Sequence, residues 1–116
     1  MPRLPRTAAL MDVAPVTSLE DIVELGREVC SSGFGALKTN IFLFDDEAHM
    51  HQPGFARTDG WPELNSSRRV IDALRAQLQA FREGAGRDID ILLDLNFNYR
   101  TEGYLTVTRA LDDLQL

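Results

Sequence analysis

Three features that would place the chain in a specialised class are scarce or absent. The sequence has a single cysteine, Cys30, so no disulfide can form within the chain, and a reducing cytoplasm is the expected location. No apolar run approaches the ~18 residues that a membrane-spanning helix needs. Acidic residues outnumber basic ones 18 to 12, and the net charge of −6 argues against nucleic acids and anionic membranes as partners.

Length and composition fit one small globular domain. The chain has 116 residues, of which 44% are hydrophobic and 26% are charged, as in ordinary folded proteins. Pro5, Pro15 and Asp12 interrupt residues 1–16, which we therefore expect to form a loose N-terminal extension without a helix. The folded domain is expected to cover residues 17–116.

Hydrophobic periodicity and capping residues predict alternating helices and strands. In chain order we expect a helix over 18–31, a strand over 34–44, an irregular segment over 45–65, a helix after 67, a buried strand over 89–95 and a helix over 101–113. This alternation predicts an α/β fold with parallel strands. Two strands are too few for a sheet covered on both faces. Further strands would come from the extension, from another copy of the chain or from a longer protein.

Polar side chains stand at the carboxyl ends of both expected strands, where parallel α/β sheets bind their ligands. Lys38 and Asn40 close the first strand, and Asp94 and Asn96 close the second. An ammonium and a carboxylate at adjacent strand ends predict a site for an anionic substrate and a metal ion. The alternative, which the residues alone favour, is that Asp94 caps the next helix or forms a structural ion pair with Lys38.

The same residues carry a family resemblance. Residues 33–40 resemble the second barrel strand of the mandelate racemase and muconate-lactonizing branch of the enolase superfamily, which ends in a Gly-aromatic-x-x-x-Lys-x-Lys pattern. Residues 86–96 resemble the third strand of that barrel, which closes on Asp-x-Asn. The order and spacing of these segments and of the intervening helices extend the resemblance over residues 17–113.

The resemblance implies a fold and a chemistry. It implies about two βα units of a TIM-like (β/α) barrel, in an enzyme that uses Mg²⁺ to remove the proton next to a carboxylate. Asp94 would be the first of three metal-binding carboxylates, Asn96 would line the substrate site, and Lys38 would act on the substrate carboxylate as an electrostatic catalytic partner. Asn40 would also contact the substrate, which we expect to be an acid sugar or another small carboxylate.

Two departures from the family pattern limit this interpretation. Asn40 replaces the second lysine of the motif, and an amide cannot accept a proton, so an acid-sugar dehydratase (a lyase) fits better than a two-base racemase. A typical barrel has about 250 residues, so we expect a fragment without the other metal ligands, the base or the capping domain. Such a fragment would be inactive alone and would bind Mg²⁺ weakly.

Other hypotheses come from different classes of protein. The main rival is a small non-catalytic α/β module that covers its incomplete sheet by self-association as a homo-oligomer; a response-regulator-like domain is a weaker one. The acids and imidazoles of residues 45–51 suggest zinc, but a solvated loop is the expected state. In a barrel, this loop would bring Phe55, Arg57 and Trp61 towards the substrate. Cys30 is expected in the core.

Overall fold

The computed structural model describes residues 3–56, 59–63, 65–114 and 116. The helices are α1 (Pro5–Met11), α2 (Leu19–Ser31), α3 (Pro53–Ala56), α4 (Arg68–Ala85) and α5 (Thr101–Ala110), and a 3₁₀ turn follows at Asp112–Leu114. The strands are β1 (Ala36–Thr39), β2 (Phe42–Phe44), β3 (Ala48–Met50) and β4 (Asp90–Leu93).

A parallel pair of strands, β1 and β4, forms the centre of the fold. Their register places Leu37 beside Ile91 and Lys38 beside Leu92. Leu37 and Ile91 are buried and belong to the hydrophobic core, whereas Lys38 and Leu92 are exposed on the opposite face. The expected α/β class with parallel strands is therefore confirmed, but the expectation of a buried strand over 89–95 is wrong, since Asp90 and Leu92 of β4 are exposed.

The two long helices begin where the sequence predicts. At α2 the Ser18 hydroxyl accepts a hydrogen bond from the Asp21 amide at 3.3 Å, and the Asp21 carboxylate accepts one from the Ser18 amide at 3.1 Å. This is the predicted capping box, and Gly33 follows the helix with a left-handed φ of 76°. At α4 the Ser67 hydroxyl caps the helix by accepting a hydrogen bond from the Val70 amide.

Helices α2 and α4 cross at very short range. A Cβ atom added to Gly84 would lie 1.9 Å from the backbone oxygen of Val23, so only glycine permits this approach. The core between these helices and the strands contains Ile22, Leu37, Leu74, Leu78, Phe81 and Ile91. Cys30 is exposed, so its expected place in the core is wrong.

The expected single strand over residues 34–44 is wrong. The chain leaves the parallel sheet after Thr39, and β2 then pairs antiparallel with β3, with Phe42 opposite Met50. The segment expected to be irregular, residues 45–65, thus contains a strand and the short helix α3. The break has a physical cause. Gln77 of α4 is buried, and its side chain forms hydrogen bonds with Thr39, Asn40 and Phe42.

The N-terminal residues are ordered differently from the expectation. Helix α1 occupies Pro5–Met11. The expectation that prolines exclude a helix there is wrong, because proline is compatible with the first helical position. Ala8 and Val16 are buried, and Arg3 forms an ion pair with Glu28 of α2. The division of the chain at residue 16 stays a prediction. None of the helices in the described part of the chain is long and apolar enough to cross a membrane.

Candidate functional site

The carboxyl ends of β1 and β4 lie side by side. The Asp94 amide donates to the carbonyl of Thr39 at 2.8 Å, which extends the parallel pairing by one step beyond the strands. The Asn40 side-chain amide reaches the Asp94 carbonyl at 3.5 Å. Because side chains alternate along a strand, Lys38, Asn40 and Asp94 belong to the face opposite the buried Leu37. The structure thus brings the predicted residues of the two strands together.

An ion pair joins the two predicted charged residues. Lys38 Nζ lies 2.8 Å from Asp94 Oδ2, and the other carboxylate oxygen, Oδ1, accepts the Asn96 amide at 2.9 Å. The hydrogen bond from Lys38, followed by that from the Asn96 amide, lowers the pKa of Asp94. The Lys38 side chain is 65% exposed and that of Asp94 is 31% exposed, so a small molecule can approach both groups.

Asn96 adopts a backbone conformation that is uncommon outside glycine. Its φ is 52°, and its carbonyl accepts a 2.6 Å hydrogen bond from the Tyr104 hydroxyl on α5. The side-chain nitrogen of Asn96 is buried and has no hydrogen-bond partner within the described residues. A buried donor without a partner is energetically costly, which marks Asn96 as a residue kept for a reason other than stability.

Sequence reasoning missed Gln77, which holds the end of β1. Gln77 is fully buried on α4; its amide nitrogen donates to the Thr39 hydroxyl and to the Asn40 carbonyl, both at 2.8 Å. Its side-chain oxygen accepts the Phe42 amide at 2.9 Å. These bonds satisfy backbone groups where β1 stops and β2 starts. The detectable signal was a glutamine within the apolar stripe of the helix.

A second buried amide, Asn98, fixes the segment that follows β3. The Asn98 side chain accepts the Gly54 amide and donates to the His51 carbonyl, both at 3.1 Å. The Asn65 side chain donates to the Asn98 carbonyl. The segment that contains α3 is therefore tied to the turn after β4, close in sequence to Asp94 and Asn96.

The aromatic residues expected to reach the substrate have different positions. Phe55 is exposed and packs against Phe97 with ring centroids 5.3 Å apart, next to the turn after β4. Trp61 is half-buried, and Arg57 lies outside the described residues. Phe55 thus lies near the turn that carries Asn96, and its contact with a substrate stays a prediction.

The acid and imidazole cluster of residues 45–51 covers the turn of the β2–β3 hairpin, strand β3 and the residue after it. Asp45 pairs with Arg69 of α4, and its carboxylate lies 4.0 Å from His49. Burial lowers the pKa of His51, which favours the neutral ring. No group of three or more metal-ligating side chains is found in the ranges 3–56, 59–63, 65–114 and 116. The acids of residues 45–47 are exposed, as expected for a solvated loop, whereas residues 48–50 form a strand, which was not expected.

The donors at the strand ends fit Mg²⁺ in type but not in number. Mg²⁺ prefers oxygen ligands in an octahedron and is commonly held by one or two carboxylates together with water and substrate oxygens. Asp94 supplies one such carboxylate on an accessible face. Further oxygen ligands would have to come from the substrate, from water or from other strands.

Comparison with known proteins identifies a similar chain. No protein-family model matches, and neither does any curated protein. Two crystal structures of a protein from Burkholderia xenovorans strain LB400, assigned as an L-alanine-DL-glutamate epimerase, match with a TM-score of 0.82 and 47% identity. One of them contains magnesium and fumarate. The match covers 89% of this chain and 26% of that one. The chain thus spans about a quarter of the length of its solved relative and shares the fold of the matched part.

Proposed function

We propose that the chain is part of a Mg²⁺-dependent enzyme of the enolase superfamily that removes the proton next to a substrate carboxylate. The observation that carries the proposal is the 2.8 Å approach of Lys38 and Asp94 at adjacent parallel strand ends, on the face opposite the buried Leu37. The 47% identity to a solved barrel protein that binds magnesium and fumarate supports it.

Each residue at the strand ends has a defined role in this proposal. Asp94 is one carboxylate ligand of Mg²⁺, which when bound supplies positive charge that stabilises the anion formed by proton removal. The ammonium of Lys38 binds the substrate carboxylate and stabilises the negative charge that develops as the proton is removed. Asn96 and Asn40, both half-buried, line the site beside these two residues.

The ion pair observed between Lys38 and Asp94 is compatible with these roles. Both side chains are partly exposed, and exposed ion pairs contribute only about 0–1 kcal/mol. A cation bound to Asp94 would take the place of the Lys38 ammonium. A substrate carboxylate bound to Lys38 would take the place of the Asp94 carboxylate. The alternative, a purely structural ion pair, predicts that removal of either charge leaves ligand binding unchanged.

Two reactions agree with α-proton removal, and a different observation favours each. Asn40 cannot accept a proton, so one face of the substrate lacks a base at this position, which favours dehydration of an acid sugar. The similarity to a protein assigned as an L-alanine-DL-glutamate epimerase favours epimerisation of a dipeptide or a related carboxylate. Epimerisation requires that Lys38 or a residue outside the chain acts as the second base.

A chimera tests the proposal directly. The matched part of this chain replaces the corresponding 26% of the Burkholderia protein, which supplies the remaining barrel strands. Incubation in D₂O with acid sugars and with alanine-glutamate dipeptides is followed by mass spectrometry and NMR. Mg²⁺-dependent deuterium incorporation at the α-carbon with recovery of both configurations indicates epimerisation, and loss of water indicates dehydration.

Matched variants identify the residues that carry the activity. Asp94→Asn and Lys38→Met are each expected to lower kcat/KM by about a hundredfold or more. Asp90→Asn is the control, because Asp90 is exposed on the same strand at its amino end. A chimera that has the circular dichroism and melting temperature of its parent, yet catalyses no α-proton exchange on any of these substrates, contradicts the proposal.

A further inference from the structure

A chain of hydrogen bonds connects helix α5 to the proposed metal ligand. The Tyr104 hydroxyl donates to the Asn96 carbonyl at 2.6 Å, and the Asn96 amide donates to Asp94 Oδ1 at 2.9 Å. The other carboxylate oxygen, Oδ2, faces Lys38. The two carboxylate oxygens therefore have different partners, one a peptide amide and the other an exposed side chain.

The backbone conformation of Asn96 makes this chain of hydrogen bonds depend on the contacts that hold the turn. Asparagine tolerates a left-handed φ of 52° better than most residues, but this region is still less populated than the extended and right-handed ones, so contacts that hold the turn add to its order. The bond from Tyr104 is such a contact, because it fixes the carbonyl of the same residue whose amide holds Asp94. The Tyr104 ring is itself held by Tyr99, with centroids 5.5 Å apart and planes at 80°.

We propose that Tyr104 is a positioning residue for Asp94: its hydroxyl holds the left-handed turn at Asn96, whose amide fixes one carboxylate oxygen and thereby aims the other at the site. This inference rests on the proposed function, because it assigns Asp94 the role of a metal ligand. Tyr104 touches neither reacting atoms nor the metal ion; it acts through the backbone of Asn96. Groups that orient a metal ligand in this way commonly affect metal affinity.

The test removes only the hydroxyl. In the chimera, Tyr104→Phe keeps the ring and its contact with Tyr99, and the Mg²⁺ dissociation constant measured by calorimetry is expected to rise by about three- to tenfold. Hydrogen exchange followed by mass spectrometry should accelerate in peptides that contain residues 94–98. The activation constant for Mg²⁺ should rise by the same factor, while kcat at saturating Mg²⁺ stays within about twofold, because the loss is one of ligand positioning.

Tyr99→Phe is the matched control. It deletes a hydroxyl from the other ring of the same pair, and that hydroxyl is buried without a hydrogen-bond partner among the described residues. Magnesium affinity and exchange at residues 94–98 should therefore be unchanged. If Tyr104→Phe behaves like this control, the positioning role is overturned. The role is equally overturned if Tyr104→Phe accelerates exchange throughout the chain, since that would make Tyr104 a general packing residue.

The variant Asp94→Asn separates this inference from the proposed function. If Asp94→Asn leaves Mg²⁺ affinity intact, the metal role of Asp94 fails, and with it the proposal for Tyr104. If Asp94→Asn abolishes Mg²⁺ binding while Tyr104→Phe binds normally, the proposed function stands and only the inference about Tyr104 fails. Weakened binding in both variants, with Tyr99→Phe unchanged, supports both.

Discussion

At the residue scale, the site depends on two buried amides that carry no charge. Gln77 closes β1 and starts β2, and Asn98 ties the segment around α3 to the turn after β4. Each satisfies backbone groups that would otherwise be buried without partners, which is costly. The charged residues at the strand ends are partly exposed, so their placement depends on these neutral neighbours more than on their own ion pair.

The first prediction concerns Gln77. Replacement by leucine keeps the size but leaves the Phe42 amide and the Thr39 hydroxyl without their helix partner, so Gln77→Leu should lower the free energy of unfolding by about 2–3 kcal/mol. Urea denaturation followed by circular dichroism measures the change. Gln79→Leu is the control on the same helix, because Gln79 is exposed, and it should change stability by less than about 0.5 kcal/mol. Equal stability of the two variants would contradict the assigned role.

At the scale of elements, the start of α2 gives a pH-dependent prediction. Hydrogen bonds from Thr17 and Ser18 lower the pKa of Asp21, so its contribution to stability is present above the unfolded-state pKa and is lost as pH falls through the lowered value. Asp21→Ala should therefore cost about 1 kcal/mol at pH 7 and progressively less as the pH approaches about 2. Thermal unfolding at several pH values tests this.

The matched control for that prediction is Glu20→Ala, in the same first turn of α2. Glu20 is exposed and lies outside the capping box, so its loss should affect stability less than the loss of Asp21 does. If the cost of Asp21→Ala is the same at pH 7 and near pH 2, the carboxylate contributes nothing through ionisation and the prediction is wrong.

The positions of α2, α4 and α5 could be predicted from the sequence because their signals are local, whereas α1 and α3 were not predicted. The capping box at Ser18 and the apolar stripes of α2 and α4 lie within a few turns of the chain. The split of residues 34–44 could not be predicted, since it depends on Gln77, which is far away in sequence and close in space. Cys30 fits the apolar period of α2 but lies at the exposed edge of the helix.

The candidate site could be predicted in part, because part of it follows from patterns along the two strands. The expectation of adjacent parallel strands placed Lys38 and Asp94 at neighbouring strand ends, and the pairing of β1 with β4 brings them together. The supporting residues Gln77 and Tyr104 were not predicted, because their roles depend on tertiary contacts with Asn40 and Asn96. Sequence patterns thus indicated the charged groups, whereas the structure was needed for the neutral groups that orient them.

At the scale of the whole molecule, one face of the central sheet has no covering layer among the described residues. Leu92 of β4 is 53% exposed on this face, beside Lys38 of β1, and the two strands form a two-stranded sheet. Exposed apolar side chains next to unpaired strand edges favour association. In a full barrel other strands would cover this region; in the chain alone, a second copy is the available partner.

The chain alone should therefore self-associate through this face. Sedimentation velocity at micromolar concentrations should detect dimers or larger species, and Leu92→Glu should shift the population towards monomer, because it places a charge in the contact. Leu105→Glu is the matched control, since Leu105 is an exposed leucine on α5 away from the strands. A monomer at all concentrations, or equal effects of both substitutions, would contradict association through the sheet.

Magnesium binding gives the last prediction, and it too belongs to the whole molecule. One carboxylate that already accepts bonds from Lys38 and from a backbone amide leaves most of an octahedral shell to water. The isolated chain should therefore bind Mg²⁺ with a dissociation constant on the order of millimolar or weaker, whereas the chimera should bind at least about tenfold more tightly. Titration calorimetry on both proteins measures the difference. Micromolar binding by the chain alone would mean that its own residues complete the site, and the requirement for further barrel strands would then be wrong.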